Sequence, residues 1–374
     1  MSLSAKLFRL LKRLFALAAA AALALTAFVC FHPTFGGKPD AQSLAKIQAS
    51  PNFNGKTFDN LEPTPLNTGN GNRRPNIIAW LYSVTNPPPG KQPAEPLPNL
   101  PLDTATLAQG GFAWLGHSTV LMNIDGKTLL TDPVFHRASP VFLGGAPFAM
   151  QHTYTAEHMP KLDAVLISHD HYDHLDYRAI QALNAKTEHF YVPLGVKAHL
   201  QRWGVADEKI SELDWHETAE LGGLRFTLAP SRHFSGRNLT NRNSTLWGSW
   251  IIRSPQLSVY FNGDSGFGKH FAQNRQRYGR FDIAFMENGA YNENWANIHM
   301  TPEQGVQAAQ ILEAKLVVPI HWGKFDLSYH TWKEPIQRFS ATARTAGQAF
   351  STPQIGEVFH LNNPPANPWW ESVK

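Results

Sequence analysis

The sequence predicts a layered α/β sandwich, and three observations lead to it. Short β-branched and aromatic runs follow one another from about residue 108 and later alternate with helical segments. The chain has 374 residues, 43% of them hydrophobic, enough for one large packed domain or two small ones. Only 17% are charged, below the roughly 25% of an average globular domain, which argues against a wholly disordered chain or a coiled coil.

Leu14 to Phe31 comes first, an unbroken run of 18 residues that are apolar except for Thr26. It has no polar face, so it does not read as a buried amphipathic helix. Lys6, Arg9, Lys12 and Arg13 precede it and no acid does. This is the pattern of a secretory signal or of an uncleaved anchor with its basic end in the cytoplasm. No small-x-small cleavage site is evident, and Ala27-Phe28-Val29 is a poor lipid-attachment box before Cys30. An uncleaved membrane segment is therefore expected over residues 1–31. Either way the bulk of the chain would lie on the extracytoplasmic, periplasmic side. Residues 32–107 contain thirteen of the 27 prolines and predict an extended lead-in arm that wraps the domain. Ala41 to Ile47 and Ile77 to Val84 are short amphipathic pieces within it.

The regular region opens with Gly111 to Asn123, which suits strands around a tight turn at Gly116. Asp125-Gly126 is a two-residue hairpin signal, and Lys127 to Thr131 returns as a strand. Further strands are expected at Asp163 to Ile167, Leu224 to Leu228, Trp250 to Arg253, Leu257 to Asn262, Asp282 to Met286 and Leu316 to Ile320. Tyr177 to Leu183 reads as a helix with Asp176 as its N-cap. Pro302 to Leu312 reads as another, capped by Thr301 with proline at its first position. Residues 362–374 are left as a C-terminal tail.

Composition narrows the partners. The formal charge of +4 and a pI near 9.0 superficially point to polyanions. Yet residues 1–39 hold five basic residues and no acid, and without them the net charge is −1. Nothing downstream resembles a nucleic-acid-binding stripe. The single cysteine, Cys30, excludes an intrachain disulfide framework and any multi-cysteine metal site. Seventeen histidines make imidazole and carboxylate the expected ligands.

The chemistry is concentrated in His169-Asp170-His171-Tyr172-Asp173-His174, between the apolar strand ending at Ile167 and the capped helix. At His-x-His spacing two imidazoles can grip one metal ion, and Asp173 with His174 can reach a second. Two metals about 3.5–4 Å apart can share a hydroxide and clamp both oxygens of a displacement. Six residues do not complete two such sites. His233, Asp264 and His321 each follow a predicted strand, where α/β sheets build sites. A lone histidine is usually structural; the shared position of these three after strands is what makes them candidates.

With these residues in place the chain resembles the metallo-β-lactamase-fold hydrolases, and more closely the N-acyl-phosphatidylethanolamine-hydrolysing phospholipase D family. The similarity covers roughly residues 108–361 and includes Trp114-Leu115-Gly116-His117, Thr131-Asp132-Pro133, Leu246-Trp247-Gly248-Ser249-Trp250, Gly263-Asp264-Ser265-Gly266 and Ile320-His321-Trp322-Gly323. The resemblance implies a four-layer αββα sandwich over 108–361 and two zinc ions. His169, His171 and His233 would bind the first, Asp173, His174 and His321 the second, and Asp264 both. Tyr172 and His299 match positions near the substrate. Manganese or iron also suits such ligands. His117 and Asp132 read as supporting or turn residues rather than ligands. Met286-Glu287-Asn288 replaces the family's proline-rich segment, and Ile298 replaces a polar residue.

The expected activity is a phosphodiesterase of phospholipase D type, acting on N-acyl-phosphatidylethanolamine or related phospholipids at a membrane surface through a metal-bridging hydroxide. Asp264 would orient the nucleophile, and His299 or Tyr172 would support the developing charge. The alternatives are a hydrolase of small esters or lactones on the same fold and a non-catalytic metal-binding scaffold.

Overall fold

The structure is a computed structural model that describes residues 3–69, 86, 88–140, 144–238 and 240–374; the piece expected at Ile77 to Val84 lies outside them. Among the described residues the strands form two sheets. The first runs in the order β13-β1-β2-β3-β4-β5-β6, with β1 at Gly111–Trp114, β2 at Val120–Ile124, β3 at Lys127–Thr131, β4 at Leu162–Leu166, β5 at Thr187–Pro193, β6 at Ile210–Leu213 and β13 at Val358–Phe359. The second runs β12-β11-β10-β9-β8-β7, with β7 at Thr218–Leu221, β8 at Leu224–Ala229, β9 at Ser249–Arg253, β10 at Ser258–Phe261, β11 at Phe281–Glu287 and β12 at Ala314–Ile320.

Each sheet starts antiparallel and finishes parallel. Asp125 (φ 49°) and Gly126 (φ 78°) close the β2–β3 hairpin with both central residues left-handed, which pairs Ile124 with Lys127. From β3 to β6 the pairing is parallel, as it is from β10 to β12. The carboxyl ends of the parallel strands therefore gather at one edge of each sheet. Gly116 (φ 86°) makes the turn between β1 and β2.

The inner faces of the sheets meet in one apolar core. Phe112 packs on Phe285 at 5.6 Å and Tyr191 on Phe226 at 4.8 Å, ring centroid to centroid, across the two sheets. Helices cover the outer faces, giving the αββα order. Tyr177–Leu183 (α4) starts where Asp176 accepts from the N–H groups of Arg178 and Ala179. Lys197–Arg202 (α5) lies on the same side, by β6. On the second sheet, Pro302–Ile311 (α7) is set by a reciprocal cap between Thr301 and Gln304 and packs on β11, β12 and Glu334–Thr345 (α8). His270–Tyr278 (α6) sits beside α7.

The N-terminal helix, Leu3–Phe31 (α1), is exposed from Lys6 to Ala27, with Phe28 and Val29 half-buried, and its segment Lys6–Phe31 is long and apolar enough to cross a membrane. That makes it a candidate anchor or signal. The segment after it crosses the domain. Ala41–Ala49 (α2) places Ser43 against Glu212, and the Asn60 side chain bonds both backbone groups of His233, at 3.0 Å to its N–H and 2.8 Å to its carbonyl. Arg232 reaches Pro63 and Thr64, and Thr68 donates to the Asn294 carbonyl. The short helix Thr104–Leu107 (α3) leads into β1. At the other terminus Trp370 is buried and Trp369 stacks on Trp322 at 5.4 Å, next to His321.

A candidate binuclear metal centre

Every sequence-predicted ligand arrives from the carboxyl end of a strand. His169 to His174 form the loop between β4 and α4. His233 follows β8, Asp264 follows β10 and His321 follows β12. The sheets thus deliver seven side chains from four loops to one point between their edges.

The side chains sort into two donor sets. In the first, His169 Nε2 lies 2.9 Å and His233 Nε2 3.3 Å from His171 Nδ1, with Asp264 Oδ2 3.9 Å from His169 and 3.6 Å from His233. In the second, Asp173 Oδ2 is 3.4 Å from Nε2 of both His174 and His321, while Asp264 Oδ1 is 3.1 Å from the same two nitrogens. Asp264 faces one set with each oxygen.

The donors fit a cation better than they fit one another. Ring nitrogens about 2.0–2.1 Å from a tetrahedral ion stand about 3.3 Å apart, close to the observed spacing. His174 Nε2, His321 Nε2 and Asp264 Oδ1 are buried and make no hydrogen bond. Buried polar atoms are nearly always satisfied, so orphans of this kind call for an absent partner. A donor set of five imidazoles and two carboxylates suits a divalent ion such as zinc, manganese or iron.

The surrounding contacts set the tautomers. His233 Nδ1–H donates to the Ile298 carbonyl at 2.8 Å, which turns Nε2 inward. Asp132 Oδ2 takes His174 Nδ1 at 2.7 Å and the Ser168 hydroxyl, while its Oδ1 accepts from the Ser168 backbone N–H. His117 Nε2 meets Asp173 Oδ2 at 3.0 Å and exchanges backbone bonds with the His321-Trp322 turn. His117 therefore lies within the second donor set, closer to the chemistry than a turn residue. His117 (φ 53°), Asp132 (φ 38°) and His321 (φ 67°) all adopt the left-handed backbone, which non-glycine residues hold only when their surroundings force it.

Burial shapes the charges. It pushes His169 and His233 well below the ordinary imidazole range, and His171 downward, so these rings are neutral, as ligands must be. Against the same burial, Asp264 and Asp173 raise His174 well above that range and His321 to about 10.

A cavity of about 370 Å³ opens over the centre, lined by His171, Asp173, Asp264, His299 and His321, by apolar Leu66, Trp295 and Leu327, and by the Arg242 side chain. His299 reaches it from the turn before α7, its Nδ1 4.0 Å from Asp264. Tyr172 is not brought there. Its hydroxyl donates to the Arg237 carbonyl and its ring faces a second cavity on the other side of the loop. One group was named in the sequence only as part of a departure from the family pattern, with no role at the centre. Glu287, the last residue of β11, is wholly buried, with Oε1 in close contact with His299 Nδ1 and Oε2 accepting from the Ser265 N–H at 2.9 Å. Burial, then Asp264, pushes its carboxyl well above the usual range.

Comparison with known proteins agrees with this geometry. Residues 127–322 match the beta-lactamase superfamily domain. An uncharacterized protein of Mycobacterium tuberculosis is 38% identical over 88% of this chain and 90% of its own length. The N-acyl-phosphatidylethanolamine-hydrolyzing phospholipase D 1 of Caenorhabditis elegans is 31% identical over 84% of this chain and 95% of its own. Among solved structures, a metallo hydrolase from Ignicoccus hospitalis superposes with a TM-score of 0.51 at 21% identity, over 67% of this chain and 97% of that one. Sequence, fold and donor sets together place this chain in the β-lactamase superfamily, as a metal-dependent hydrolase.

Proposed function

We propose that this chain is a binuclear-zinc phosphodiesterase of phospholipase D type that cleaves N-acyl-phosphatidylethanolamine or a related phospholipid. The observation that carries the reading is the pair of donor sets joined by Asp264 beneath a cavity whose lining includes the Arg242 guanidinium. His169, His171 and His233 would hold one metal, Asp173, His174 and His321 the other, and Asp264 both. Two such ions supply Lewis acidity to a phosphoryl oxygen and make water a nucleophile near neutral pH.

The chain's own groups do the rest. Asp264 fixes the geometry between the two sets. His299, its Nδ1 engaged by Glu287, presents its other nitrogen to a reacting oxygen. The exposed Arg242 guanidinium, 5.3 Å over the Phe234 ring, is placed to pair with the anionic oxygen of a phosphodiester. Leu66, Trp295 and Leu327 offer apolar wall to an acyl chain. The cavity volume of about 370 Å³ also suits the alternative substrate class, a small ester or lactone.

Incubation of the full-length protein with N-acyl-phosphatidylethanolamine, other glycerophospholipids and lactones, with and without chelator, decides between them. Release of an N-acylethanolamine with phosphatidic acid is the expected, chelator-sensitive result; lactone opening alone would replace the reading with the alternative. Arg242→Ala should raise KM for the phosphodiester about tenfold, the worth of one exposed charge-assisted bond, and leave a neutral ester unaffected. Glu287→Gln should keep both metals and lower kcat about tenfold, about the effect of losing a supporting contact beside a metal site; metal analysis beside steady-state kinetics reads both. We further propose that α1 is retained as an anchor with the domain on the periplasmic side. Cell fractionation tests this, and full-length protein in the cytosol would refute it.

A further inference from the structure

The loop that carries the donors has a second face. Behind it lies a cavity of about 270 Å³ whose wall includes His32, His136, Arg137, Tyr172, Arg178 and Arg237. Three guanidiniums and two imidazoles thus surround a space with one carboxylate, Asp176. That carboxylate is already engaged: its oxygens accept from the backbone N–H groups of Phe135, His136, Arg178 and Ala179 and contact His136 Nδ1. The cavity is left with positive charge in excess.

Arg237 shows that the site is built rather than incidental. It is 2% exposed, although arginine is almost never fully buried without an anionic partner. Its Nε donates to Thr34, and its Nη1 to the carbonyls of Asp170 and Leu175, at 2.6–2.9 Å. Its ring neighbours are Tyr172 at 4.2 Å and Trp203 at 5.2 Å. Among the described residues Nη2 has no hydrogen-bond partner, and no carboxylate forms an ion pair with this guanidinium. The Asp170, Asp176 and Asp173 carboxylates act on it from a distance, but among the described residues none touches it, so the free Nη2 has no direct counter-charge.

The place in the fold indicates where the counter-charge comes from. His32 directly follows α1, and its ring rests on Phe28 of that helix at 4.8 Å and on Tyr177 at 6.5 Å. The cavity therefore opens at the end of the apolar helix, at the level where the headgroups of a bilayer holding that helix would lie. Its volume admits a phosphate with its glycerol, while acyl chains would run along α1. Several arginines around one point favour phosphate, whose oxygens match the guanidinium fork.

We propose that this second cavity binds the phosphate group of an anionic membrane lipid, at a site separated from the metal centre by the His169–His174 loop. The inference stands independently of the reaction assigned to the metal centre. It joins the membrane helix to the donor loop, because Arg237 holds Thr34 on one side and the Asp170 carbonyl on the other.

The test uses the detergent-solubilised full chain and short-chain probes below their micelle concentration: dihexanoyl phosphatidic acid, dihexanoyl phosphatidylcholine and inorganic phosphate, followed by calorimetry. The exposed pair is replaced together, Arg137→Ala with Arg178→Ala, which leaves the buried core, the Tm and the metal content unchanged. The expected result is binding of dihexanoyl phosphatidic acid at least tenfold tighter than of the phosphatidylcholine, weakened at least tenfold in the double variant. Occupancy of the metal cavity would be insensitive to that variant, so binding the variant does not alter overturns the site. Binding of inorganic phosphate alone, with the same arginine dependence, overturns the lipid source in favour of free phosphate. Absence of binding by every probe also overturns the proposal.

Discussion

Asp264→Asn is expected to lower kcat/KM by about a thousandfold or more, with metal content falling below two per chain. Asp264 is the one side chain in both donor sets, with Oδ1 3.1 Å from His174 and His321 and Oδ2 3.6 Å from His233. The amide keeps the shape but loses the charge, and it points an N–H₂ at one set of imidazoles. Losing transition-state stabilisation of about 4 kcal/mol gives the stated factor. Chelation of the wild-type protein should reproduce the loss and be reversed by zinc or manganese. Chelation should also lower Tm, since a ligand bound only by the folded state stabilises it. An Asp264→Asn protein that retained two metals and full turnover would remove Asp264 from the centre.

Gly266→Ala should damage the same centre without touching a donor. A Cβ at this position would lie 1.8 Å from the Asn297 carbonyl oxygen and 2.3 Å from its carbon. The neighbour is backbone and cannot swing aside. The Gly263–Gly268 turn, which carries Asp264, must then separate from the Asn297–His299 segment. That segment carries His299 and supplies the Ile298 carbonyl that orients His233. Overpacking of this kind costs about 3 kcal/mol, on the order of 4 °C in Tm for a chain of this length. Calorimetry and metal analysis should both respond; an unshifted Tm with full activity would show that the two segments can part freely.

The donor loop was legible because His169 to His174 are contiguous between a strand and a capped helix. His233, Asp264 and His321 were legible through their position after strands, which the sheets turn into a common edge. The role of Glu287 was not, because the residue closes the apolar run Ile283 to Met286 and reads as the strand's end. Its signal was there, a carboxylate at the carboxyl end of a buried parallel strand. Tyr172 shows the opposite limit. Adjacency to His171 says nothing about direction, and the loop turns its ring toward Arg237. The strands β5 to β7 escaped notice for local reasons. β5 opens on Thr187-Glu188-His189 and ends at Pro193, and β7 is a half-exposed edge strand. The helices α5 and α6 are short and mostly polar, and none of α5, α6 and α8 has a side-chain cap; α8 does carry an apolar stripe, Ile336, Phe339 and Ala343, which the sequence reading passed over.

The Asn60 clasp on His233 has a consequence for the order of assembly. The two residues are 173 positions apart, and Asn60 grips both backbone groups of the donor loop. Contacts of such long range form slowly, since a large loop must close first. In a chain delivered from its N-terminus, the arm waits for its target until β1 to β8 have followed it, six strands of the first sheet and two of the second. The last donor in sequence, His321, follows β12, so the full donor set likewise exists only once both sheets are in place.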